Sequence, residues 1–144
     1  LLAASPYAAA VSRHCHELAA HENDLLAARA WTVLMRVGQR EDRDLVLKRA
    51  LQETRLPIRS RALVNVGLSA GPLTDAEAEA LLKRLEDGAK PVERQATMFA
   101  LGMGGAAQLA DLAKDESDWP GRSARWWIEQ GPARHDPDLM PRTA

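Results

Sequence analysis

Apolar residues return every three or four positions along most of this chain and almost nowhere alternate one-for-one with polar ones. That period belongs to helices with one buried face, so helix signals dominate and strand signals are nearly absent. The clearest case follows Thr74, where Ala78, Leu81, Leu82 and Leu85 form a stripe that stops at Gly88. Thr74-Asp75-Ala76-Glu77 in front of it is a capping box, in which each outer side chain satisfies the other's free backbone N–H. Ser5-Pro6 supplies an N-cap and an N1 proline for a helix to about His21, and Asn23 or Asp24 caps a second that ends near Gly38. A third, from about Asp42, carries Leu45, Val46, Leu47 and Leu51. A fourth starts at Pro57 and ends between Gly67 and Gly71. Pro91 opens a helix closed by the glycines at 102, 104 and 105. A short helix over Gln108 to Lys114 and a last one from about Pro120 to Gln130 complete a set of eight. Short turns between them make antiparallel neighbours. Residues 1–132 read as one helical domain and 133–144 as an extended or disordered tail.

The stripes also repeat. PIRSRALVNVG (57–67), PVERQATMFALG (91–102) and PGRSARWWIEQG (120–131) each begin with Pro, carry Arg in the first turns and reach Gly about ten residues later. LAARAWTVLMRVG (26–38) is a looser fourth copy. Another helix lies between the later copies, so the unit is a helix pair of roughly 30 to 35 residues. Small residues at Ala62 and Ala96 let a paired helix approach closely, and Gly67 and Gly102 are expected to supply left-handed C-caps.

The copy at 91–102 resembles the second helix of a HEAT-like repeat, of the short kind also found in phycobilisome lyases. The pattern there is close to P-x-V-R-x-x-A-x-x-A-L-G, and Pro91, Arg94, Ala96, Ala100, Leu101 and Gly102 match it or fall within a position of it. Ile58-Arg59, Ala62 and Gly67 make a second, partial match. Residues 120–131 depart from it, with Trp126-Trp127 and Glu129-Gln130 where small residues belong, as a terminal repeat that covers the core end would. The resemblance spans about residues 24–131 and implies an all-α, right-handed α-α solenoid of about four helix pairs. Such repeats serve many roles, so it implies no particular activity. Some HEAT-like proteins are DNA glycosylases, but this chain is short for one and shows no matching motif.

Composition narrows the classes. A hydrophobic share of 46% with 27% charged residues is that of a globular domain. A net charge of −1 gives no global pull toward nucleic acid or an anionic membrane, so charge-driven binding would need a local patch. Arg outnumbers Lys, a usage typical of GC-rich bacterial genomes. Cys15 is the single cysteine, which excludes an intrachain disulfide scaffold. No apolar run approaches the roughly 18 residues of a membrane span, and LLAASPYAAAV lacks a basic region ahead of it, so a cytoplasmic setting is expected. The start at Leu1 instead of Met suggests a fragment of a longer protein.

Candidate chemistry concentrates in three places. The run HCHELAAHE (14–22) looks like a metal site, but His16 and His21 are five apart, about 140° around a helix, so the H-E-x-x-H arrangement fails. His14, Glu17 and His21 do share a face, yet about 10 Å separates the outer two along the axis. A solvated polar face is the expectation, with no metal or other cofactor. Arg59, Arg61, Arg94, Arg122 and Arg125 recur near the starts of the second helices, where stacking would make a column able to grip phosphates or an acidic peptide. The competing reading is a ladder of structural ion pairs with acids such as Glu53, Glu93, Asp115 and Asp118. Trp119, Trp126 and Trp127 crowd the last copy, and Trp127 points about 100° away from Trp126. They cap the core or, exposed, would anchor a partner. No P-loop, Rossmann fingerprint, nucleophile elbow or CxxC pair occurs.

The resulting expectation is a non-catalytic interaction or scaffold module. It would bind a protein through the concave second-helix face or the Trp-rich end, with Arg59, Arg61, Arg94, Arg122, Arg125, Trp126 and Trp127 as contact residues. The alternative is nucleic-acid backbone binding, or a role as the regulatory domain of a DNA-binding protein, through the arginine column.

Overall fold

The computed structural model describes residues 6–37, 43–68, 72–86 and 90–131. Its described residues form helices and no strand: α1 (Ala8–Ala19), α2 (Asp24–Val37), α3 (Arg43–Gln52), α4 (Leu56–Leu68), α5 (Asp75–Glu86), α6 (Pro91–Met103), α7 (Leu109–Leu112) and α8 (Trp119–Glu129). The chain is all-α over these residues.

Four helix starts use the local chemistry that the sequence carries. Asn23 Oδ1 accepts the N–H groups of Leu25 and Leu26 at 3.0 and 3.1 Å, which caps α2. Thr74 and Glu77 exchange both bonds of the capping box at 3.2 Å each. Pro91 stands at the first position of α6 after an extended Lys90. The last helix begins at Trp119, one residue early, because Asp118 is its cap and accepts the Gly121 N–H at 3.1 Å. The first helix begins at Ala8 without a side-chain cap. Helix α7 is a single turn. Ser5, Gly38, Asp42, Gly71, Gly88 and the tail at 133–144 lie outside the described residues.

The glycine expectation is corrected. Gly67 and Gly102 sit inside α4 and α6, and the left-handed glycine among the described residues is Gly105, at φ 61°. There the Ala106 N–H reaches Leu101 O at 3.1 Å and the Gly105 N–H reaches Gly102 O at 3.2 Å, the paired bonds of a Schellman stop. What Gly67 and Gly102 provide is room for a ring. A Cβ at Gly67 would stand 2.5 Å from the Phe99 ring, and one at Gly102 would run into the Trp127 indole.

Helices pack in sequence order. The pairs are α1 on α2, α3 on α4, α5 on α6 and α7 on α8. The second members also pack on one another, α2 on α4, α4 on α6 and α6 on α8, while α3 touches α5. One apolar cluster runs through all of this, from Cys15 and Trp31 through Leu63, Leu81 and Leu101 to Trp127. Between pairs, polar ties join residues about one unit apart. Asn65 Nδ2 donates to Trp31 O at 3.1 Å, and Arg43 Nη2 donates to Glu77 at 3.0 and 3.1 Å, each tie spanning 34 residues. Arg49 donates to His16 O and Arg84 to Leu51 O, each spanning 33 residues. In both cases an arginine of one first helix satisfies a carbonyl in the closing turn of the first helix before it.

Candidate binding face

The second helices α2, α4, α6 and α8 lie side by side, and every arginine and tryptophan singled out in the sequence sits on one of them. Along their N-terminal ends runs a chain of ion pairs. Arg55 reaches Asp24 at 3.0 Å and Glu53 at 2.8 Å. Arg59 Nη1 donates to Glu53 O at 3.2 Å, while its Nε and Nη2 each stand 2.7 Å from a Glu93 oxygen. Glu93 is only 3% exposed, and Arg84 approaches it from α5 at 4.0 Å. A carboxylate this deep requires such partners.

The Arg55 guanidinium, hydrogen-bonded to Glu53, holds that carboxyl below the ordinary glutamate range, against the opposing effect of burial. The stability this contributes is present above the unfolded-state value of about 4.3 and is lost as pH falls through the lower folded-state value. Glu53→Gln is therefore expected to cost about 1 kcal/mol at neutral pH, and the difference from wild type should vanish in acid. Melting curves across the acid range check this; a difference that persists in acid would mean that packing, not charge, is responsible.

The other arginines find different partners. Arg94 lies over the Trp119 ring, 5.2 Å from its centroid. Arg122 donates to Glu116 O and Ser117 O at 3.2 and 3.0 Å, bracing the turn before α8. Arg125 pairs with Glu116 and, at 3.3 Å, with Glu129. Arg61 differs. Its side chain is exposed, and among the described residues its guanidinium has neither an ion pair nor a hydrogen bond.

Arg61 edges a trough of about 390 Å³ that crosses three second helices. Met35 of α2, Val64 of α4 and Val92 and Phe99 of α6 make its apolar walls, and Gln95 also lines it. Sequence reasoning named Arg61 but missed these walls. The signal lay in Val92, Gln95 and Phe99, spaced i, i+3 and i+7 beside the core stripe of α6. At the far end, Trp127 is buried edge-to-face against Phe99, with ring centroids 5.8 Å apart. Trp126 packs edge-on to Trp127 at 5.1 Å and stays 37% exposed.

The histidine run is dispersed. His14 Nδ1 stands 3.9 Å from Glu17, both side chains exposed, and His21 Nδ1 accepts the Asn23 N–H at 2.9 Å. His16 turns inward, edge-on to Trp31. Among the described residues no group of three or more His, Cys, Asp or Glu side chains is placed to hold a metal ion. Cys15 is a buried free thiol whose pKa burial pushes up. Among the same residues no helix is long and apolar enough to cross a membrane. No family model, curated protein or solved structure matches the chain.

Proposed function

We propose that the helix pairs form a right-handed, HEAT-like α-α solenoid about four pairs long, and that this solenoid is a non-catalytic module that binds a protein partner through its second-helix face. The solenoid reading is supported by the pairing order of the helices, by ties that span 33 or 34 residues, and by the motif at 91–102. A cytoplasmic setting belongs to the same proposal.

The observation that carries the binding role is the apolar trough across α2, α4 and α6 with an uncommitted Arg61 at its edge. A half-open apolar surface beside a free cation is the composition of a binding patch, whereas a closed ion pair contributes only to the fold. Backbone binding of nucleic acid through the arginine column is the alternative. It is weakened because Arg59 and Arg125 already hold carboxylates and Arg94 and Arg122 are engaged locally.

The deciding experiment is a pull-down from lysate of the encoding organism, with and without nuclease, at low and raised salt. A defined protein retained after nuclease and at raised salt is expected. Val92→Asp should abolish its capture, and Trp126→Ala should leave it intact. The reverse pattern would move the site to the end of α8, and recovery that vanishes with nuclease would favour nucleic acid.

A further inference from the structure

Within that reading, the trough also specifies the chemistry of its occupant. The ladder places acid against base at a separation of 34 residues: Arg59 meets Glu93. Two residues further along the sequence, the residue 34 positions after Arg61 is Gln95, a neutral amide instead of an acid, and both residues line the trough. Arg61 has no acid three or four residues away on its own helix either, since those positions are Pro57, Ile58, Val64 and Asn65. Among the described residues it is the only charged group that lines the trough.

A single unneutralised cation beside apolar walls gains from one incoming carboxylate once the occupant covers those walls, because a charge-assisted bond is stronger where solvent is kept away. A phosphodiester strand fits less well. Nucleic-acid binding draws on several phosphate contacts at once, and the trough offers one. Helices packed side by side at about 8–10 Å spread it over roughly 16–20 Å, the length of about three helical turns.

We infer that this trough docks an acidic, apolar peptide segment of a partner protein, with Arg61 reading an Asp or Glu side chain and Val64, Val92 and Phe99 receiving its apolar side chains. This rests on the second-helix face being the binding face.

The test is a random 12-residue peptide library displayed on phage and panned against the immobilised full chain, with the enriched consensus peptide synthesised and titrated. The expected consensus holds at least one Asp or Glu among large apolar residues. Its affinity should fall at least tenfold in Arg61→Glu and in Val92→Asp, less in Arg61→Gln, and not at all in Trp126→Ala. Arg61 and Val92 are solvent-exposed, and melting temperatures close to wild type verify that the variants fold. Panning on Arg61→Glu should shift the consensus to Lys or Arg. Consensus peptides without a carboxylate, or binding indifferent to Arg61→Glu, would overturn this inference and leave the protein-partner reading standing. So would failure to enrich any peptide while a nuclease-resistant partner is still captured. A dT20 oligonucleotide that binds at low salt and is lost in Arg61→Glu, with no peptide enriched, would overturn both.

Discussion

Glu93→Ala is expected to lower the stability of the chain by about 3–5 kcal/mol, the usual cost of removing one partner from a buried pair. The carboxylate is 3% exposed in the first turn of α6, between Arg59 at 2.7 Å and Arg84 at 4.0 Å. Its removal leaves two guanidiniums facing each other in partly buried space and strips the N-terminus of α6 of its acid. Glu93→Gln keeps the volume and an acceptor, and should fall between Ala and wild type. The double variant Arg59→Met, Glu93→Leu is expected to recover most of the loss, since an apolar pair of similar size does not carry the desolvation penalty of the ions. Urea unfolding measures all three. A loss below about 1 kcal/mol for Glu93→Ala, the scale of surface pairs, would mean that water already satisfies the arginines.

The second large effect is at Trp127. Trp127→Ala should cost about 3–5 kcal/mol, because its indole fills the space left by Gly102 and Gly131 and abuts Phe99. The companion change is more diagnostic. Gly102→Ala should be destabilising by about 1–3 kcal/mol through overpacking, although Ala is the better helix former by about 1 kcal/mol. In the Trp127→Ala background the same substitution should become neutral or stabilising, since the obstructing ring is gone. An equal cost in both backgrounds would refute the ring-on-glycine contact. Trp127→Ala is for the same reason a poor probe of binding: its losses would report folding, whereas Trp126 can be altered at the surface.

How far these features were legible depended on how local their cause is. The caps at Asn23, Thr74–Glu77 and Pro91 involve residues within three positions of each other, so the chain announces them. Gly67 and Gly102 were misread because a glycine near a helix end looks the same whether it turns the chain or accepts a ring. Here the rings come from Phe99, 32 residues on, and Trp127, 25 residues on. A helical wheel separates Trp126 from Trp127 but cannot say which one meets the core. The arginines stand at similar places in successive copies, yet their partners were the deciding fact. Pairing each with the residue 34 positions on would have separated Arg59, which meets Glu93, from Arg61, which finds a neutral Gln95 at that spacing.

The ties of Arg49, Arg84, Asn65 and Arg59 each close a loop of 33 or 34 residues. Loop-closure entropy grows only with the logarithm of length, so these closures carry nearly equal penalties and no one of them must form first. Order of assembly then falls to the helix that gains most neighbours, and α4 is held on both sides, by Asn65 to α2 and by Arg59 to α6. A molecule built this way is expected to fray inward from its terminal helix pairs, with the amides of α4 among the last to trade their hydrogens for deuterium.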